Sequence, residues 1–436
     1  MRLSAERHPR VSTRLGRLVI TVVSTLALLM LVASCGGAQT SATPAAKSEQ
    51  KTESTSPGTK QATPEKPASS ESKPAAQVPA SKEPYKVGLV TAFTGTRAET
   101  QETTIKAVRL AAEMVNASGG IDGHKVELVE YDNEEDPQKS IPIFKRVIEQ
   151  DKAVAIIGPG INAAIQAVKP LIKDGPLTVV TSASAKPEPN SYMFQVPVTQ
   201  PTLQRMLFNY FKKNNYSKVA LLATTDATGE DAVKNIGEIA KEVGGIEVAI
   251  ERYNADDVDV TPQITKIRGD KAIKALVIWS TGKQAATPVK NAAQLGLDIP
   301  IQVSMGNHTN NFIKLIKGSE PKLLWIATGR GTAWYDLPDD DPIKPIAKSF
   351  AEAYKAKFGD QADLQAFSGY DAAKLIFDAL KAAGPDSKKM KEWIESQPMW
   401  LGANLEHKYT KDNHEGDLPQ GAALVEISGG TWRLVK

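Results

Sequence analysis

Residues Ala153 to Ala185 read Ala-Val-Ala-Ile-Ile-Gly-Pro-Gly-Ile-Asn-Ala-Ala-Ile-Gln-Ala-Val-Lys-Pro-Leu-Ile-Lys-Asp-Gly-Pro-Leu-Thr-Val-Val-Thr-Ser-Ala-Ser-Ala. Val154 to Ile157 is a continuous apolar run, as in a strand buried on both faces. Gly158-Pro159-Gly160 breaks it, and Ile161, Ala164, Ile165, Val168, Leu171 and Ile172 then recur at helical spacing. Leu177 to Val180 is a second buried-strand run. Strand, turn, helix and strand in this order predict a parallel sheet with a crossover helix. Two polar segments, Gly158–Asn162 and Thr181–Ser184, follow the carboxyl ends of these strands, the edge where open parallel sheets hold ligands. The helix start there offers free N–H groups to an anion.

Outward from this unit the pattern repeats. Tyr85–Val90 and Lys125–Asp132 predict strands, and Glu99–Asn116 a helix ended by Ser118-Gly119-Gly120. Asp136-Pro137 opens another helix with an acidic cap. After Tyr192–Val196 the alternation restarts, with strands at Val219–Ala223, Ile246–Tyr253, Ala275–Trp279, Ile299–Val303 and Leu323–Ala327. Three helical patterns follow, Pro342–Phe358, Leu364–Ala383 and Ser387–Ser396, and then a tail of short strands and turns. About 350 residues from 85 onward suffice for two lobes.

The chain begins differently. Arg2, Arg7, Arg10, Arg14 and Arg17 precede an apolar run from Leu18 to about Val32, the layout of a secretory signal and short for a membrane span. Val32-Ala33-Ser34-Cys35 resembles the lipobox of bacterial lipoproteins, which implies cleavage before Cys35 and lipidation of its thiol. Cys35 is the only cysteine, so the exported body is expected to hold no disulfide and no cysteine-based metal site. Gly36 to Pro84 is rich in Ser, Thr, Ala, Pro, Lys, Glu and Gln and is expected to be a disordered tether. Much of the net charge of +3 lies in the signal, leaving a nearly neutral body with no nucleic-acid-binding surface.

The body resembles the branched-chain amino-acid binding proteins, the type I periplasmic solute-binding proteins of ABC importers. The residues that carry the resemblance are Lys86-Val87-Gly88, Thr94-Gly95, Val115 to Gly123, Tyr131-Asp132, Asp136-Pro137, Ile156-Ile157-Gly158, Gln294 to Leu297 and Gly369 to Ala372, in order and spacing. The resemblance implies an α/β fold of two Rossmann-like lobes with parallel sheets, joined by a three-strand hinge, that close on a ligand. The organisation expected is a signal over residues 1–34 and an anchored linker over 35–84. Lobe 1 then takes 85–204 and 331–405, and lobe 2 takes 205–330 and 406–436. The implied partners are a small-molecule ligand, an ABC permease and the lipid anchor, with the receptor a monomer. A sensor of the same fold reporting to a membrane receptor is the other role such a protein plays.

Residue by residue, the resemblance places ligand contacts at Phe93, Thr94, Asn162, Thr181, Ser184, Asp226, Thr228, Thr281, Asn307 and Trp334. It also shows departures. A Ser that holds the ligand carboxylate in the family falls at Asn162, and a Thr falls at Ala185; Ser184 and Thr181 are substitutes. The acidic partner of a ligand ammonium falls near Gly306, where no carboxylate stands. A buried unpaired charge is costly, so the expected ligand is a small organic acid, aromatic or aliphatic. Asp226 remains an alternative acidic contact, which keeps a branched-chain amino acid open. Asn307-His308 reads as a donor pair or a solvated loop, and Trp334 as pocket wall or packing.

Gly158-Pro159-Gly160-Ile161-Asn162-Ala163 matches a dinucleotide fingerprint, but it lies outside the first β/α unit and no acidic residue ends a strand some 20 residues on. Simple turn chemistry accounts for it better. No G-x-S-x-G, P-loop or H-E-x-x-H occurs, and the body's four histidines are scattered. No enzyme activity, cofactor or metal is expected.

Overall fold

The computed structural model describes residues 82–428 and 431–435. The signal, Cys35 and the tether to Ser81 lie outside the described residues. Among the described residues no helix is long and apolar enough to cross a membrane.

The first sheet is built from β1 (Lys82–Thr91), β2 (His124–Asp132), β3 (Ala155–Ile157), β4 (Leu177–Val180) and β5 (Met193–Gln195). All pair in parallel, in the order β2-β1-β3-β4-β5. α1 (Ala98–Ala117), α2 (Pro137–Glu149) and α3 (Asn162–Val168) are the crossovers. Asp136 caps α2 as the sequence predicts, accepting from the N–H groups of Gln138 (2.7 Å) and Lys139 (3.0 Å). α3 is shorter than the apolar stripe suggests. Pro170 has no N–H to give, and Lys169–Ile172 continues as a 3-10 turn.

The second sheet repeats the topology. α4 (Gln200–Lys213) leads into β6 (Lys218–Thr224), α5 (Ala227–Val243), β7 (Glu247–Tyr253), α6 (Thr261–Gly269), β8 (Leu276–Trp279), α7 (Lys283–Gln294), β9 (Ile301–Val303), α8 (Asn310–Ile316) and β10 (Leu324–Gly329). After α9 (Lys344–Phe358), α10 (Leu364–Ala383), α11 (Ser387–Ser396) and the small pair β11 (Trp400–Leu401) and β12 (Glu406–His407), the tail returns as β13 (Ala422–Ser428) and β14 (Thr431–Leu434). The order is β14-β13-β10-β9-β8-β6-β7, and β13 and β14 are the antiparallel members. α10 and α11 pack on the first sheet, with Leu375, Ile376, Leu380 and Ile394 fully buried among Val87, Ile157 and Val179. Each such side chain contributes about 1.5–3 kcal/mol by leaving water.

Three segments pass between the sheets: β5 to α4, β10 to the 3-10 segment Arg330–Asp336, and β12 to β13. The third is bonded to the end of β5, and the second to the turn between β11 and β12. Tyr409 donates its hydroxyl to the Gln195 carbonyl (2.8 Å), and the N–H of Gly331 reaches the Asn404 carbonyl (2.8 Å). A Cβ on Gly331 would stand 1.9 Å from the Ala403 carbonyl oxygen, so the second segment packs on the turn between β11 and β12 only with glycine there. Arg330 donates to both oxygens of Asp341 (3.0 Å each) and to Glu406. Asp371 of α10, fully buried, accepts from the N–H groups of Ala403 (2.5 Å) and Asn404 (2.9 Å). Burial raises its pKa to about 7.

Candidate functional site

Both sheets carry the 2-1-3-4-5 doubly wound order, which sets a switch point between β1 and β3 in the first and between β6 and β8 in the second. At the first switch point the chain supplies its own anion. The loop after β2 turns through left-handed conformations at Glu134 (φ 50) and Glu135 (φ 56). The side chains of Asp132 and Asn133 hold these turns by accepting the N–H groups of Glu134 and Glu135, each at 2.9 Å. The buried Glu135 carboxylate then accepts from the N–H groups of Gly160 (2.8 Å) and Ile161 (3.2 Å) and from the Thr91 hydroxyl (2.9 Å). Burial raises its pKa, against the pull of these bonds. Two N–H groups of the turn ahead of α3, those of Gly160 and Ile161, are thus occupied from within. Asn162 lies on the surface, its Oδ1 accepting from Gln166 (2.9 Å), and does not line the cleft described next.

A cleft of about 820 Å³ lies beyond the carboxyl ends of the strands. On one side stand the first turns of α1 and the Thr181–Ser184 loop after β4; on the other stand Ser280–Lys283 after β8, Ser304–Asn307 after β9 and the start of α8. The Ser182 hydroxyl lies 3.4 Å from both the N–H and the hydroxyl of Ser184, which presents the loop's three hydroxyl residues as one polar face. Trp279, Met305 and Phe312 supply apolar surface opposite.

Thr181, Ser184, Thr281 and Asn307 line this cleft. Asn307, however, is fully buried and its carboxamide is committed. Oδ1 accepts from the Gly282 N–H (2.9 Å), while Nδ2 donates to the Ser280 carbonyl (2.8 Å) and to Ser304 (3.1 Å). It holds two cleft loops together. Its neighbour His308 is buried too. Its Nδ1 accepts the N–H of Leu364 at the start of α10 (3.1 Å), and its ring lies 4.4 Å from that of Trp432. Burial lowers its pKa to about 3, so it is neutral.

Of the other predicted residues, Phe93, Thr94, Asp226 and Trp334 do not line the cleft. Phe93 donates its N–H and Thr94 its hydroxyl to Asp132 (3.0 and 2.5 Å). Asp226 caps α5, accepting from the Gly229 N–H (3.1 Å) and the Thr224 hydroxyl (2.6 Å). The Thr228 side chain lies outside the described residues. Trp334 packs against the cluster of α1, α9 and α10 that holds Phe350, with its ring edge-on to Tyr335.

Sequence reasoning missed three contributors. Gln101, buried in α1 on the cleft wall, has an Oε1 without a partner among the described residues. Asp363 is the one fully buried carboxylate on the wall, and it caps α10 by accepting the Ala366 N–H (3.0 Å). Glu135 was concealed in the acidic run Asp132–Asp136, where only the cap position carried a readable signal. The remaining wall acids, Glu99, Glu102 and Asp360, stand exposed at the rim, with Glu102 paired to Lys106 (2.5 Å). Among the described residues no group of three or more His, Cys, Asp or Glu is placed to hold a metal.

Against known proteins, the chain is similar to an amino acid binding protein of Pseudomonas aeruginosa, 23% identical over 321 residues, 72% of this chain and 83% of that protein. It is similar to that organism's leucine-, isoleucine-, valine-, threonine-, and alanine-binding protein at 23% over 318 residues, 71% and 82% of the two chains. Among solved structures, the branched-chain amino acid transporter substrate binding protein LivJ of Streptococcus pneumoniae, in complex with isoleucine, superimposes with a TM-score of 0.66 at 22% identity, over 81% of this chain and 99% of that one. An ABC transporter solute binding protein of Rhodopseudomonas palustris, in complex with benzoate, does so with a TM-score of 0.61 at 18% identity, over 81% and 95%. These two structures share the fold. The model of the periplasmic binding protein family matches residues 84–431, nearly the whole described body, and the chain therefore belongs to that family as a ligand-binding receptor.

Proposed function

We propose that this receptor serves an ABC importer and holds a small organic acid, aromatic or aliphatic, between two lobes that close on it. In this reading the ligand carboxylate meets Thr181 and Ser184, and its apolar part lies against Trp279, Met305 and Phe312, with Thr281 at the edge. Closure follows because only the closed form lets the ligand touch both lobes, which shifts the open–closed balance. The lobes are residues 85–204 with 331–405 and 205–330 with 406–436. The receptor acts as a monomer tethered through lipidated Cys35, outside the cytoplasm.

The observation that carries the ligand class is the state of the carboxylates. Asp363 is committed to helix N–H groups, Glu135 to the Gly160 turn, and the other wall acids are exposed. A buried ligand ammonium would lack a partner, whereas a carboxylate finds hydroxyls. A thermal-shift screen of aromatic acids, aliphatic acids and amino acids tests this. A ligand at 100 times its dissociation constant stabilises by about 2.7 kcal/mol. The largest shifts are expected from acids without an α-ammonium; a largest shift from leucine or valine would overturn the reading.

A second reading, a branched-chain amino-acid receptor, is favoured by the relatives' names and by the partnerless Gln101 Oε1, an acceptor for an N–H donor. A third is a sensor that signals to a membrane receptor. Uptake of the identified ligand lost on deletion of the protein supports the importer; unchanged uptake supports the sensor.

A further inference from the structure

The two walls of the cleft are charged differently. On the side of the second sheet the lining carries Lys283 and Lys314 and no carboxylate, while on the side of the first sheet carboxylates outnumber cations. The two sides also touch along one seam. The N–H of Leu364, at the start of α10, reaches His308 Nδ1 (3.1 Å), and Asn310 Nδ2 donates to the Gln361 carbonyl (2.9 Å). The segments run antiparallel here, 308 against 364 and 310 against 361. The next positions outward are Asp360 and, one turn along α8 on the face of Asn310, Lys314. Both are exposed and both line the cleft. Among the described residues neither side chain makes an ion pair or a hydrogen bond.

We infer that Lys314 and Asp360 form an ion-pair latch that fastens the cleft when the lobes close. The inference rests on the lobe closure proposed above and not on the class of ligand. The bonds of His308 to Leu364 and of Asn310 to Gln361 hold the inner end of the seam, so closure swings the outer positions together. Opposite charge on the two walls favours that motion once they approach within a screening length of about 8–10 Å. An exposed pair of this kind raises the closed-to-open ratio by up to about fivefold. A ligand that binds the closed form alone gains the same factor in affinity.

Zero-length cross-linking with a carbodiimide on the full chain, without ligand, tests the pair, because the reagent joins a lysine only to a carboxylate that it meets. Links accumulate from transient closures, and peptide mass spectrometry is expected to find an amide between Lys314 and Asp360. Lys322 and Asp298, exposed and already 3.0 Å apart, are the control for the reagent. Hydrogen exchange then compares the treated wild type with treated Lys314→Gln, which cannot form the link. Amides of Thr181–Ser184 and Ser280–Lys283 are expected to exchange at least about tenfold slower in the linked chain, whose cleft is held shut. A link at the control with none between Lys314 and Asp360 overturns the latch and leaves lobe closure standing. A link with unchanged exchange overturns the latch through closure itself, since the two residues then meet while the cleft is open.

Discussion

The carboxylate of Glu135 accepts the backbone N–H of Gly160 at 2.8 Å. A residue from the loop after β2 thereby closes the strand-end turn of Gly158–Asn162. The next strand end along the sheet, at Thr181–Ser184, lines the cleft, and it is there that the proposed ligand carboxylate is placed.

Glu135→Ala leaves two N–H groups and the Thr91 hydroxyl without their acceptor. The expected loss is about 2–3 kcal/mol in urea unfolding, the cost of uncovering buried donors. Added formate or acetate recovers part of it in the variant and not in wild type, because a small carboxylate can take the vacated seat. A loss within about 0.5 kcal/mol, the range of ordinary surface changes, would mean that the turn does not depend on Glu135.

Asn307→Ala and Asn162→Ala separate scaffold from surface. The first breaks bonds that join the loops after β8 and β9, so stability falls by about 2 kcal/mol or more and ligand affinity falls with it. The second removes only an exposed contact to Gln166, and both stability and affinity stay unchanged within about 0.5 kcal/mol. Chemical denaturation with calorimetric titration of the identified ligand reads both.

Thr181→Val and Ser184→Ala remove the hydroxyls proposed to hold the carboxylate. Each is expected to weaken the acid ligand by about tenfold, since hydrogen bonds to a charged group contribute about 1.5–3 kcal/mol. Melting temperature without ligand should move little for Ser184→Ala, whose side chain lies on the open loop.

Two buried histidines should each make stability rise with pH between about 4 and 6.5, against the buried carboxylates whose raised pKa values work the other way. His308 and His407, both fully buried, have folded pKa values lowered to about 3 and about 4 by burial. Unfolded histidine titrates near 6.5, so as the pH falls below that value the unfolded chain gains protons that the folded chain refuses. Each group then costs up to about 1.4 kcal/mol per pH unit. Asp371 acts in the opposite sense. Its folded pKa is raised to about 7, so its contribution is complete below the unfolded value of about 3.8 and is lost as pH rises towards 7. His407→Gln should flatten the rise and Asp371→Asn should steepen it, in melting temperatures measured across this range.

The alternation of apolar strand runs with helical stripes made both sheets legible, because strands buried on both faces leave little choice of residue. The tail was readable only as short strands, since antiparallel pairing of β13 on β10 depends on contacts some hundred residues apart. The hydroxyl loop Thr181–Ser184 was legible from its place at a strand end. Glu135 was not, because a buried carboxylate and a solvated one share the same sequence context until the turn at Glu134 and Glu135 directs the side chain inward. Asn307 was singled out by position, but its carboxamide serves two loops that only the tertiary fold brings together. Trp334 reads equally as wall or packing in sequence, and lies with Phe350 and its neighbours.

The central claim, a carboxylate ligand without an ammonium, is tested most directly by calorimetric titration with matched pairs: leucine against 4-methylpentanoate, and phenylalanine against 3-phenylpropanoate. Within a pair only the α-ammonium differs. The cleft predicts that in the pair that binds, the acid lacking the ammonium binds at least about tenfold tighter, because among the described residues no unoccupied buried carboxylate lines it to receive the charge. Tighter binding of the amino acid would contradict it.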